Sequence, residues 1–260
     1  MTTNMMAEMT WVEYQRRVKT GPLMVLLPLG ALEQHGHHLP MGTDHLLPLA
    51  ICKAIAERIP AVVAPPVAYG YKSQPRMGGG NHFPGTTSLD GSTLTAIVRD
   101  VIREFARHGV RRVAVVNGHC ENAFFAIEGI ELALRELRAA GINDLKVVRL
   151  DYWEFTTAAT LDRCFPQGFP GYALEHAAVL ETSMGLQVFP ELVRMDCLVD
   201  DPAAVFPPYD VHPARQEWVP PSGVLSPAKG ATREKGRVLF DEYVERIADA
   251  LSKEIEEAQR

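Results

Sequence analysis

Short apolar runs alternate with helical periods along this chain. "MVLLPL" (24–29), "AVVA" (61–64), "VAVV" (113–116) and "LKVVRL" (145–150) are aliphatic and bounded by turn residues, the pattern of strands buried on both faces of a parallel sheet. Between them, Leu94, Ile97, Val98, Val101, Ile102 and Phe105 mark a helix, with Ser92 expected as its N-cap and Gly109 as its stop. A second helix is expected from Glu121 towards Gly141, burying Phe124, Ile127, Ile130, Leu134 and Leu137. A third is expected from about Thr232 to Glu257, burying Val238, Leu239, Tyr243, Ile247 and Leu251. The alternation implies an α/β fold: a single-domain α/β/α sandwich around a mostly parallel sheet, spanning residues 1–260. The Pro-rich stretch 200–227 reads as an irregular excursion, a site rim or subunit contact rather than a linker.

Composition narrows the class. The 260 residues are 47% hydrophobic with a formal charge of −6, enough for one substantial core. No apolar run approaches the roughly 20 residues that span a bilayer, and "MTTNMMAEMTW" lacks the basic and apolar regions of a signal peptide. Cys52, Cys120, Cys164 and Cys197 are sparse and irregularly spaced, which fits reduced thiols in a cytoplasmic protein. The acidic balance argues against nucleic acid or an anionic membrane as partner.

Candidate chemistry gathers after two of the strands. "GALEQHGHHLPMGTDH" (30–45) follows the first, and "NGHCEN" (117–122) follows "VAVV". In an open parallel sheet ligands bind beyond the carboxyl ends of the strands, so both clusters are expected on one edge. Glu33 and His35 are separated by one residue, as are His119 and Glu121, and such pairs can point the same way in extended backbone. With Asp44 they supply two imidazoles and three carboxylates, a set that suits zinc or manganese. Two divalent ions would be neutralised by these three carboxylates and one hydroxide, whereas one ion would leave the site negative. Asp44, the most central carboxylate, is then the expected bridge. The alternative is plain polar loops, with His119 and Glu121 capping the following helix.

The segments "LPLGALEQHGHHLPMGTDHLLP", "NGHCEN" and "EHAAVLETS" resemble the signature segments of the creatininase family. The resemblance continues through "YGYKSQPRMGGGNHFPGTTSLDG" (69–91) and "ALRELRAAGI" (133–142), so it covers nearly the whole chain. It implies a hexamer of compact α/β/α domains with a dinuclear Zn or Mn centre. One ion would lie among Glu33, Asp44 and His119, the other among His35, Asp44 and Glu121. The implied reaction is opening of a cyclic amide, creatinine to creatine, by a bridging hydroxide, with one ion polarising the carbonyl. His176 is the implied proton donor to the leaving nitrogen. Glu175 would orient the substrate or tune His176, and Glu181 would stand behind the ligands. Trp153 is a retained pocket wall.

Several pocket positions depart from the family pattern. Cys120 replaces a tyrosine, Tyr172 and Ala173 replace a tryptophan–aspartate pair, and Met77 replaces a serine. Losing the aspartate removes a charge-assisted partner for a cationic ring, worth roughly 1.5–3 kcal/mol, so a less cationic lactam or hydantoin-like ring is the alternative substrate. Cys120, at a strand-to-helix turn, also offers a metal-free amidase nucleophile. A metal-stabilised assembly protein is the non-enzyme alternative, although structural zinc sites are usually closed and cysteine-rich. "GGGN" (78–81) neither follows a strand nor opens a helix, so it reads as mobile backbone near the pocket rather than a phosphate loop. His37, His38, His45 and His82 are left as loop polar groups or supports for the ligands.

Overall fold

A computed structural model describes residues 3–257; residues 1–2 and 258–260, the outermost ends of the expected domain, lie outside the described residues. In chain order the elements are α1 (Trp11–Thr20), β1 (Met24–Leu29), α2 (Thr43–Ile55), β2 (Ala61–Val63), α3 (Pro75–Gly78), α4 (Gly91–Arg107), β3 (Arg112–Asn117), α5 (Ala123–Ala139), β4 (Lys146–Asp151), α6 (Ala158–Cys164), α7 (Val179–Val188) and α8 (Arg233–Glu257). The strands form a sheet of order β2-β1-β3-β4, and every pairing is parallel.

Side-chain alternation along the strands builds a core on each face. Met24, Leu26, Ala61, Val63, Ala114 and Val116 meet buried residues of α2, α7 and α8, including Leu47, Ile51, Met184, Tyr243 and Ile247. Val25, Leu27, Leu29, Val113 and Val115 meet Leu94, Val98 and Ile102 of α4 and Ile130 and Leu137 of α5. The expected α/β/α layering is present. From β1 the chain moves through α2 to one neighbour, β2, while from β3 it moves through α5 to the other side, β4. The strand order therefore switches between β1 and β3, whose carboxyl ends are level at the pair Leu29 and Asn117. A crevice at this point is where open α/β sheets take their ligands.

Some local expectations are corrected. The N-cap position of α4 is Asp90, not Ser92, and the Asp90 carboxylate pairs with Lys72 instead of capping the helix. Gly109, at φ 97°, does end that helix, with its N–H bonded to the Ala106 carbonyl. Glu121 sits in a short 3-10 turn, so α5 begins at Ala123. Its inner face is Ala126, Gly129, Ile130, Ala133 and Leu137, while Phe124 and Ile127 are 82% and 43% exposed. Small residues let α4 approach closely, and the larger apolar side chains are left on the outer flank. Val238 is only half-buried; Leu239, Tyr243, Ile247 and Leu251 carry the core face of α8. Gly78, Gly79 and Gly80 are buried, with the Gly80 N–H on Ser73 Oγ at 3.0 Å, so this run is packed backbone rather than a loose loop.

One close approach sets the floor of the crevice. A Cβ on Gly30 would lie 2.4 Å from the Asp44 carbonyl oxygen, and one on Gly118 would lie 2.2 Å from the same atom. The first turn of α2 thus rests directly on the chain leaving β1 and β3. Pro48, inside α2, has no N–H for the Asp44 carbonyl, so that carbonyl faces the two strand ends without its usual helical partner. We expect Gly118→Ala to destabilise the fold by about 1–3 kcal/mol in urea denaturation. The control Gly21→Ala, in extended backbone with nothing within 4 Å of the added methyl, should change stability by less than about 0.5 kcal/mol.

Candidate metal centre

Two backbone segments aim the polar side chains into the crevice. After β1, the Glu33 N–H is held by the Met41 carbonyl at 3.0 Å, and His35 Nδ1 donates to the Glu33 carbonyl at 3.1 Å. After β3, the Gly118 N–H bonds the Leu29 carbonyl, Asn117 Nδ2 donates to the His119 carbonyl at 2.7 Å, and His119 Nε2 donates to the Tyr71 carbonyl at 3.0 Å. Each imidazole thus spends one N–H on a backbone carbonyl and turns its other nitrogen towards carboxylates, as metal-ligating histidines do.

Those nitrogens converge on Asp44, which sits in the first turn of α2. His35 Nε2 lies 2.9 Å from Asp44 Oδ1 and 3.6 Å from Glu181 Oε2. His119 Nδ1 lies 3.0 Å from Glu33 Oε2 and 3.1 Å from Asp44 Oδ2. Asp44 therefore faces one imidazole with each oxygen. Three ion-sized donor groups result: Glu33–Asp44–His119 and His35–Asp44–Glu181, which share Asp44, and Glu33–His35–His176. Glu33, His35, Asp44 and His119 are all buried. Despite the short distances, Glu33 Oε1, His35 Nε2 and Asp44 Oδ2 have no aligned hydrogen-bond partner. Buried polar atoms without partners are costly, and atoms that converge this way fit divalent cations.

Electrostatics in the bare site support this fit. Burial pushes the Glu33 carboxyl up to about 8, against the pull of His119. Burial also works against Asp44 ionising, but the adjacent His35 and His119 hold it well below the usual carboxylate range. Conversely, His35 and His119 resist burial and titrate well above ordinary histidine, through Asp44 with Glu181 and through Glu121 with Glu33 respectively. Without metal the two imidazoles act as the missing cations.

The remaining expected residues are distributed around this pair. Glu121 lines the pocket, but its Oε1 accepts from the Gln74 N–H at 2.8 Å and its Oε2 is 3.5 Å from His119 Nε2, the far side of that ring. The family resemblance implies Glu121 beside His35, whereas in this structure Glu181 is the carboxylate 3.6 Å from it. Glu181 comes from α7, and its Oε2 also accepts from the Ala177 N–H at 2.6 Å. The turn it holds is strained, with Ala177 at φ 53°, and it presents His176, whose ring centroid lies 4.4 Å from that of His35. No local pattern announces this juxtaposition.

Met77, Cys120, Trp153, Tyr172 and Glu175 line the same pocket, with the Tyr172 hydroxyl donating to the Trp153 carbonyl at 3.1 Å. Ala173, expected as a substrate contact, is exposed and does not line it. Burial first, then Glu121 and Asp151, push the Cys120 thiol up to about 11. His38 is buried, with Nε2 donating to Thr182 Oγ1 at 2.8 Å, and so supports the turn; His37 and His82 are exposed.

Comparison with known proteins gives concordant matches. The family model for creatininase, creatinine amidohydrolase, matches residues 7–251. A creatinine amidohydrolase of Pseudomonas putida is 56% identical over 248 residues, 95% of each chain. A mycofactocin precursor peptide peptidase of Mycobacterium ulcerans is 32% identical over 234 residues, covering 85% of this chain and 81% of that protein. A crystal structure of creatinine amidohydrolase superposes with a TM-score of 0.97 at 54% identity, covering 98% of this chain and 99% of that one. Other matching creatininase structures include a manganese form, a Zn-Zn form of a glutamate-to-glutamine mutant, and a complex of that mutant with creatine.

Glu175 is a buried carboxyl of the pocket that belongs to none of these donor groups. One oxygen accepts from the Leu180 N–H at 2.8 Å and the other, Oε1, is unpartnered. Burial pushes its pKa up to about 8, against the pull of the Leu180 N–H. Its folded-state pKa is therefore above the unfolded value, so the folded chain holds the extra proton. That contribution to stability is complete below about pH 4.5 and is lost as pH rises through about 8. In the metal-loaded protein, the melting temperature of Glu175→Gln relative to the parent should rise steadily between pH 5 and 8; a flat difference would contradict the assignment.

Proposed function

The chain belongs to the creatininase family, and from that premise we propose that it is a creatinine amidohydrolase, opening the lactam of creatinine to creatine with two divalent ions, zinc or manganese. The observation that carries this reading is Asp44, whose two oxygens each face a different buried imidazole. The relative at 56% identity is a creatinine amidohydrolase, whereas the peptidase relative is much more distant at 32%. We read residues 1–260 as one amidohydrolase domain.

In this reading Glu33, Asp44 and His119 hold one ion. His35 and Asp44 would hold the second, with a third carboxylate from Glu121, as the family resemblance implies, or from Glu181, which stands 3.6 Å from His35. Bound there, the ions supply Lewis acidity towards the amide carbonyl and water that ionises near neutral pH. The protein's own groups supply the rest. Burial, then the neighbouring His35, hold His176 well below the usual histidine range, so it is neutral, with a lone pair open to a proton that it would give up readily. As water adds to the carbonyl carbon, His176 takes the proton released, then delivers it to the ring nitrogen when the C–N bond breaks. Trp153 and Tyr172 wall the ring, and the unpartnered Glu175 oxygen is the acceptor for a cationic ring's N–H groups. Cys120 is a lining residue: a thiol that titrates near 11 supplies little thiolate at neutral pH.

The test is an NMR time course of metal-replete protein with creatinine. We expect creatine to form, activity to vanish on exhaustive chelation, and Cys120→Ser to retain most of it. Two bound ions without creatine would direct the search to neutral lactams and hydantoin-like rings. Activity that survives chelation but is lost in Cys120→Ser would instead support a thiol nucleophile.

Metal counts on Glu121→Gln and Glu181→Gln identify the third carboxylate, because removing the true ligand should weaken the second ion and leave the first. The resemblance also supports a cytoplasmic homohexamer. Exposed Trp11, Val12, Phe124 and Val205 offer apolar surface for subunit contacts, and light scattering should give a six-chain mass.

A further inference from the structure

Gln34 lies between the ligands Glu33 and His35, yet its buried side chain turns away from the carboxylates. Its Nε2 donates to the Gly78 carbonyl at 3.1 Å and to the Gly223 carbonyl at 2.9 Å, while Oε1 accepts from the Gly36 N–H at 2.9 Å. Both amide hydrogens and the amide oxygen are thus in use. The two carbonyls belong to segments 44 and 189 residues away in sequence. One carries Met77 into the pocket. The other belongs to the Pro-rich excursion, where the Leu225 N–H bonds the His176 carbonyl at 3.2 Å.

The backbone makes room for this amide. Gly79 is at φ 78° and Gly223 at φ 80°, and a Cβ would lie 2.6 Å from Gln34 Nε2 at the first and 2.1 Å from Oε1 at the second. Left-handed glycines at both contacts let two main chains close on one side chain. His176 completes the arrangement. Its Nε2 lies 2.9 Å from the Gln34 carbonyl oxygen and 2.8 Å from Gln34 Nε2. Since both amide hydrogens point at carbonyls, His176 donates Nε2–H to the Gln34 carbonyl, which leaves Nδ1 as its lone-pair nitrogen.

We propose that Gln34 is a positioning residue that clamps the glycine turn and the Pro-rich excursion together over the metal pocket and fixes the placement of His176. The effect on turnover rests on the amidohydrolase reading above; the clamping does not. Gln34→Glu keeps the shape but sets a carboxylate against two carbonyl oxygens. Gln34→Met keeps most of the volume and removes the hydrogen bonds. In metal-loaded protein, both variants should keep two ions per chain. Their kcat on creatinine should fall about 10- to 100-fold, as expected for a displaced proton carrier, with a smaller change in KM. Hydrogen exchange at residues 78–80 and 222–225 should quicken together, by about tenfold.

A Gln34→Met enzyme with both ions bound and kcat within about twofold of the parent would overturn the proposal. So would faster exchange in only one of the two segments, or loss of the ions, which would reduce Gln34 to a support of the ligand loop. If the parent itself leaves creatinine unchanged, the functional reading fails, while the exchange measurement still decides whether Gln34 clamps the rims.

Discussion

Acidic side chains have been taken out of water here in greater number than the chain can neutralise. Glu33 and Asp44 are 1% and 2% exposed, Glu121 and Glu181 lie within 4 Å of the same imidazoles, and among the described residues His35 and His119 are the cationic partners that face them. A buried carboxylate without a cation costs several kcal/mol, so the arrangement is favourable only when positive charge is supplied. The rest of the site follows from that demand. The crevice sits at the strand-order switch, where loops leaving β1 and β3 converge, and Asp44 occupies the first turn of α2, where the positive end of the helix dipole favours an anion. Gly30 and Gly118 are needed because a methyl at either would push that turn off the strand ends.

The fold was legible where burial is two-sided. Strands such as Met24–Leu29 are apolar at every position, and the parallel sheet follows from their alternation with helices. Helix faces were less legible. Phe124 and Ile127 look like core by hydrophobicity, but α5 turns Ala126, Gly129 and Ala133 inwards, because its separation from α4 is set by small residues. Periodicity reports that a stripe exists, not which of two stripes meets a neighbour. Similarly, Ser92 has the chemistry of a cap, yet the chain enters α4 two residues earlier, at Asp90, where Lys72 takes the carboxylate.

The site divides along the same line. Glu33, His35 and His119 were readable because each lies shortly after a recognisable strand, whereas Asp44 reaches them from the first turn of α2. Glu181 beside His35, and Gln34 between the glycine turn and the Pro-rich excursion, depend on contacts across 146 residues for the first and across 44 and 189 for the second. The first is produced by a positive-φ alanine and the second by two positive-φ glycines. Such backbone conformations are strained or residue-specific solutions to tertiary packing, and a one-dimensional pattern carries no trace of them. Ala173 shows the converse: neighbours Tyr172 and Glu175 face the pocket, but the intervening 3-10 turn rotates Ala173 to solvent.

The seat of Asp44 on α2 has a consequence for how the centre is loaded. If Asp44 is shared by two ions, as proposed above, the two binding events are thermodynamically linked: the first ion would hold the carboxylate for the second, while repulsion between the like charges would oppose the second. Because α2 is anchored through Leu47 and Ile51 to the core on that face of the sheet, fraying of its first turn would then release both ions together, making the centre and that turn one cooperative unit.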